Sequence, residues 1–267
     1  MNGVALYIRL AATSVRAQMQ YPASTFMLVL GQFAITVIEA FAVFALFHRF
    51  GMLPGWSLGE VLVFYGVANL TFALSELVCR GFDDFGPSFV KNGGFDRVLL
   101  RPRSAALQVA GHEFRLSRLG RLVQGFIVLT VASVGFGFQW NVAAVSLCAF
   151  AVVGGIAMFS GLYILQAVLS FWTVDSLEVA NMLTHGSVTA GQYPMSIYAE
   201  WFRGVLTFIV PLACVAYLPV VAALGRSDPL GAPDWFLPIA PLVGFVFLAV
   251  SFVAWRFGIA RYTSTGT

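Results

Sequence analysis

Six runs of apolar residues, most of them close to twenty residues long, constrain this chain more than anything else in it. They fall at about 26–47, 58–78, 122–138, 142–171, 202–224 and 235–257. An α-helix rises about 1.5 Å per residue, so roughly 20 residues cross the hydrocarbon core of a bilayer. Inside hydrocarbon every backbone polar group must be satisfied within the protein, which favours helices. The runs therefore predict an all-α integral membrane protein with six transmembrane helices. The composition agrees: 59% of the residues are hydrophobic and only 10% are charged. Soluble domains carry about a quarter charged residues, so this chain cannot coat a globular surface with charge.

The first 22 residues read differently. Val4, Ile8, Ala11, Val15 and Met19 recur at helical spacing, with Arg9, Thr13, Arg16 and Gln20 on another face. This pattern predicts an amphipathic helix over 1–22 lying along the membrane interface, or an ordinary solvent-exposed helix. Tyr21-Pro22 ends it, and residues 23–267 form one membrane domain. Arg9 and Arg16 interrupt the opening residues, which argues against a cleavable leader.

Loop charges orient the spans. With both termini cytoplasmic, thirteen of the fifteen Lys and Arg residues fall inside, and only Arg49 and Arg226 outside. That bias is the positive-inside pattern. Most of it comes from the second loop, about 80–121. Residues 90–103 alone hold Lys91, Asp96, Arg97, Arg101 and Arg103. Phe95, Val98 and Leu99 share one helical face there, between Gly93-Gly94 and Pro102. The expectation is a short amphipathic helix whose apolar face either enters a groove on a soluble partner or lies on anionic headgroups. The loop at 172–203, with Asp175, Glu178 and His185, reads as an interfacial helix leading into the fifth span. Pro211 and Pro219 should kink or break that span.

Several chemistries are excluded. The one lysine, Lys91, is followed by Asn92, so a G-x-x-x-x-G-K-[ST] phosphate loop is impossible. His112-Glu113 lacks the second histidine of a zinc site, because position 116 is Leu. Cys79, Cys148 and Cys214 have no paired spacing and read as small core residues. No basic face suited to nucleic acid is present. Within the spans, Glu39 is the notable charge. It either contacts cargo on a translocation path or hydrogen-bonds another span, for instance Asn69 or Gln166. Asn69, Gln166 and Gln32 read as interhelical glue or path residues, and Pro211 as a gate or a packing kink.

Gly94-Phe95-Asp96-Arg97-Val98-Leu99-Leu100-Arg101-Pro102 resembles the G-x-[LF]-D-x-x-L-[LI]-R-P signature of bacterial ABC-2 type permeases. The six-span branch called viologen-exporter-like or daunorubicin-resistance-like is the nearest in pattern. Tyr193-Pro194 with Ile197-Tyr198, Pro211, Tyr217-x-Pro219 and Arg261-Tyr262-x-Ser264-x-Gly266 are similar to that branch too. The resemblance implies a cytosolic coupling helix between spans two and three and a broken or re-entrant fifth segment. It implies that Gly94, Phe95, Asp96, Arg97, Leu99, Leu100, Arg101 and Pro102 contact an ATPase subunit. ATP and Mg would be bound by that subunit, not by this chain. Further implied partners are a second permease copy or a paralogue, surrounded by lipid of the bacterial inner membrane. The function expected is export of an amphiphilic or lipophilic substrate. The alternatives are a stand-alone secondary transporter or channel, disfavoured by the lack of an internal repeat, and a lipid-modifying enzyme, for which no polar cluster can be assembled.

Overall fold

A computed structural model describes residues 3–263 except 52, 54 and 174–176. Asp175, Ser264 and Gly266 thus lie outside the described residues. Those residues are nearly all helical and include no strand. Helix α1 (Gly3–Gln18) is the amphipathic segment. Tyr21 then caps α2 (Pro22–Phe50), with Pro22 at its first position, where the missing N–H costs nothing.

The second span, α3 (Leu58–Asp83), opens with a capping box. The Ser57 hydroxyl accepts from Glu60 N–H while the Glu60 carboxylate accepts from Ser57 N–H at 2.8 Å. This helix is buried along almost its whole length and is the centre of the bundle. It runs on into a wider π-turn, Gly86–Val90, and then into α4 (Gly94–Leu99) and α5 (Ala105–Ala110). Gly93, at φ 62°, makes the left-handed turn into α4 that a side chain would disfavour. The remaining elements are α6 (Leu119–Phe136), α7 (Val142–Leu169), α8 (Leu177–Gly191), α9 (Glu200–Gly204), α10 (Leu218–Ala223) and α11 (Leu242–Ala260).

Five helices are long and apolar enough to cross a membrane: α2, α3 with its π-turn, α6, α7 and α11. The expected break in the fifth segment is present. Glu200–Ile209 and Ala213–Ala223 meet at 85° across Val210-Pro211-Leu212. Its placement differs from expectation. α8 runs antiparallel to α3: His185 packs on Phe72 at 5.5 Å, Gly191 lies against Ala68, and Ser196 accepts from Trp56 Nε1 at 2.9 Å. The chain therefore returns along α8 to the end of the bundle where α3 begins. The bent pair starts from that end, dips until Leu212 meets Gly191, and climbs back. Tyr217 on its rising limb stacks on Phe64 and hydrogen-bonds Asp228 at 2.8 Å. The bent pair is thus a re-entrant hairpin, and α8 is the membrane-depth return that 172–203 was expected not to be. Arg203 moves to the opposite end from the basic loop. Twelve of fifteen basic residues still belong to the basic-loop side, so the charge asymmetry survives.

Backbones touch at three crossings, one of them where Gly120 of α6 meets the Val29 carbonyl of α2. A Cβ on Gly81 would run into the Val109 carbonyl of α5, and one on Gly244 into the Gly154 carbonyl of α7. Without a hydrophobic drive between helices in lipid, such close approach is what packing offers. Gly81→Ala should lower the thermal midpoint in detergent, with a cost of about 1–3 kcal/mol from overpacking. Gly186→Ala, which meets open space within α8, should not lower the midpoint.

Candidate functional site

Two groups of residues stand out, both at the end of the bundle that carries the basic loop. The first is α4 with the turns around it. Its Phe95 ring is fully buried, not offered to a partner. It sits among Phe85 (5.0 Å), Tyr262 (5.1 Å), Phe171 (5.5 Å) and Trp255 (5.9 Å), mostly edge to face. These rings come from the α3 extension, the end of α7, and α11 with its tail. Val98 is buried beside it, and Gly94 passes close to the Ser88 carbonyl. The expectation that the Phe95–Val98–Leu99 face enters a partner's groove is therefore corrected. Phe95 and Val98 root α4 in its own bundle, because the surrounding helices supply a ready aromatic socket.

What α4 presents outward is Leu100, 84% exposed, with Leu99 half-exposed and Arg97, Arg101, Pro102 and Arg103 exposed. Asp96 faces back toward Tyr262. Burial first, and then that carboxylate, hold the Tyr262 phenol above its usual pKa, so it stays protonated. α1 is bolted to the same region. Its Ser14 hydroxyl accepts from Phe114 N–H at 3.0 Å, Gln18 accepts from Leu116 N–H at 3.0 Å, and Tyr7 donates to the Val78 carbonyl at 3.0 Å. Burial pushes the Tyr7 phenol up to about 12, which keeps it a donor.

The second group is an ion cluster below α4. Glu76, fully buried in α3, accepts from Arg80 at 2.7 Å and pairs with Arg118 at 2.8 Å. Arg80 also meets Asp83 at 2.8 Å, and Asp83 accepts from Gln166 of α7 at 3.0 Å. Arg118 donates to Gln32 of α2 at 3.1 Å. Tyr163 is buried in the same neighbourhood. Four helices converge on this set. Arg80 and Arg118, counted above as loop charges, are thus folded into the protein. Arg121 sits deeper still, over the Phe72 ring at 5.2 Å and 3.9 Å from Glu39.

The residues expected on a translocation path are not gathered into one site. Glu39 is partly exposed on α2, and its partner is Arg121, not Asn69 or Gln166. Asn69 is buried and donates to the Tyr65 carbonyl of its own helix at 2.9 Å. Gln166 belongs to the ion cluster. Pro211 is at the tip of the re-entrant hairpin. The sequence reading singled out Glu39 and passed over Glu76, the more deeply buried acid. A signal was available, since Glu76, Arg80 and Asp83 fall at i, i+4 and i+7 near the end of an apolar run. Among the described residues no group of His, Cys, Asp or Glu is arranged to hold a metal.

Residues 33–266 match the family model for ABC-2 family transporter proteins. The chain belongs to that family: it is a multi-pass membrane protein and the permease component of an ABC transporter, which works with an ABC ATPase. The match begins inside α2 and leaves α1 outside it. No curated protein and no solved structure matches the chain. Family membership removes the ground for a stand-alone transporter.

Breaking one side of a buried ion pair leaves an uncompensated charge and costs about 3–5 kcal/mol, whereas replacing both sides by apolar groups costs far less. Glu76→Gln should accordingly lower the melting temperature and yield sharply. The pair Glu76→Leu with Arg118→Leu should recover much of that loss, read as a positive coupling in a double-mutant thermal cycle.

Proposed function

We propose that this chain is the membrane half of a bacterial inner-membrane exporter, with both termini in the cytoplasm and α4 as its contact with the ATPase. The observation that carries this reading is the two-sided build of α4. One side is sunk in an aromatic socket shared with α3, α7 and α11, while Leu99, Leu100 and Arg101 stand out from the bundle. A helix held this way transmits a push as a rigid body to three spans at once. The excess of Lys and Arg at this end supports its cytosolic placement.

In the cycle we infer, ATP with Mg closes the partner subunits, the docked tip of α4 moves, and α3 tilts against α6 and α2. Movement of α3 must carry the Glu76–Arg80–Arg118 cluster with it or break it. Cargo would pass between two permeases, a second copy or a paralogue, along faces that this protomer leaves uncovered. α2 has such a face, with Ile35, Ile38 and Phe41 exposed around the half-exposed Glu39. An apolar wall bearing one acid suits an amphiphilic, lipophilic or cationic substrate. Asn69, Gln166 and Pro211 would act as packing and gating positions inside the bundle, away from this face.

The experiment is copurification with the ATPase and measurement of its stimulation. Leu99→Asp with Leu100→Asp, both at exposed positions, should leave the permease folded. Losing an apolar anchor at an interface costs about 2 kcal/mol or more, roughly thirtyfold in affinity. ATPase retention and stimulated hydrolysis should therefore collapse. Full retention would rule out α4 as the docking element. Phe95→Ala should instead lower the thermal midpoint, with a loss of about 3–5 kcal/mol from emptying its socket.

A further inference from the structure

Beside the exposed Leu99–Leu100 tip assigned to the ATPase, the basic side of the same loop has a second feature. A cleft of about 210 Å³ lies between α1, the π-turn, α4 and α5, lined by Leu10, Ser88, Arg97, Arg101, Gln108 and His112 among others. Arg97 on α4 and Arg101, two residues past its end, both line the cleft. Neither forms an ion pair with a carboxylate among the described residues, and no Asp or Glu lines the cleft. Two acids close by in the chain already have partners. Asp84 accepts the Ser88 hydroxyl, and Asp96 faces Tyr262. Gln108 is buried and ties the floor down by donating to the Val98 carbonyl at 3.3 Å. The cleft is thus a preformed positive pocket with room for a small anion.

Its position says which anion meets it. Leu10 of α1 forms one wall. Part of the apolar face of α1 is not covered by protein: Val4, Ile8 and Met19 are all more than half exposed. A helix with an uncovered apolar face and arginines on another lies at the headgroup level of a bilayer. The cleft beside it is then at the depth of lipid phosphates. We propose that this cleft binds a phosphate group, supplied by the headgroup of an anionic phospholipid, and that the arginine fork of Arg97 and Arg101 holds it. Bound there, the lipid joins α1 to α4 and adds a contact between the membrane surface and the coupling element. This rests on the membrane reading of the chain but not on any contact between α4 and an ATPase.

The test uses the full-length permease, delipidated in detergent and titrated by native mass spectrometry with phosphatidylglycerol, with phosphatidylcholine, and with inorganic phosphate. Phosphatidylglycerol should bind with defined stoichiometry and in preference to phosphatidylcholine. Arg97→Gln with Arg101→Gln should weaken that binding at least tenfold, since each arginine near a headgroup contributes about 1 kcal/mol. Arg97→Lys with Arg101→Lys should retain part of it. Arg9→Gln with Arg16→Gln, which alters basic residues of α1 outside the cleft, should retain all of it. Inorganic phosphate competing at similar concentration would keep the phosphate site and assign it to a soluble anion. Equal binding by the Arg97/Arg101 glutamine pair, or an equal loss in the Arg9/Arg16 pair, would overturn the site. Loss of ATPase stimulation in the Arg97/Arg101 pair with lipid binding untouched would overturn it too, and would leave the docking role of α4 standing.

Discussion

Glu76 has no water to turn to, and much of the architecture at the basic end follows from that. A carboxylate buried in a span is tolerated only when protein cations and donors meet it. Here the cations come from one turn further along α3 and from the turn that opens α6, so the 84–118 loop must fold back to deliver Arg118 to a fixed point. Gln32 and Gln166 then bind the cations and acids from the α2 and α7 sides. Such a cluster is weak evidence for net stability, since desolvation offsets most of its attraction. Its value is geometric. It sets the register of four helices next to the element we propose as the ATPase contact, and in a bundle of interchangeable apolar side chains few other contacts could do so.

The same end of the molecule is built in two layers. Below, ions set register. Above, aromatic rings hold α4 by shape: Phe95 touches four other rings from three chain segments. Neither layer would serve as well in the other's place. Rings alone can slide and repack under load, and an ion cluster directly beneath a docking face would be hydrated and weakened. Together they make the loop a stiff extension of α3, α7 and α11, which suits the relaying of a push better than a flexible linker would.

Five of the six expected spans, the short helix at 94–99 and the bend near Pro211 were legible from periodicity, length and proline, because each depends on local chemistry. The path of the chain between α7 and the re-entrant hairpin was not. α8 has fifteen residues and carries Glu178, Asn181 and His185, so it fails every test for a lipid-facing helix. It packs one face against α3, α7 and the hairpin, and a helix partly covered by protein has no need to be apolar all round. Hydropathy reports contact with lipid, not depth. The direction in which Phe95 points was hidden for a related reason: an amphipathic pattern says that one face is buried but not by what.

Glu39 illustrates the remaining gap between pattern and site. Its sequence context marks an acid deep within a span, and that much is so. Its partner, Arg121, is placed in a loop by any charge-based division of the chain, because arginine ends an apolar run. In the fold Arg121 lies inside α6, its guanidinium over the Phe72 ring, where the face of an aromatic offsets part of the lost hydration. Glu39 is then left half-paired at 3.9 Å and partly exposed on a face that protein does not cover. A carboxylate in that state is poised between two partners, the arginine behind it and whatever occupies the space in front. In the cycle we propose, that makes α2, and not the densely satisfied interior around α3, the surface along which cargo charge would be felt.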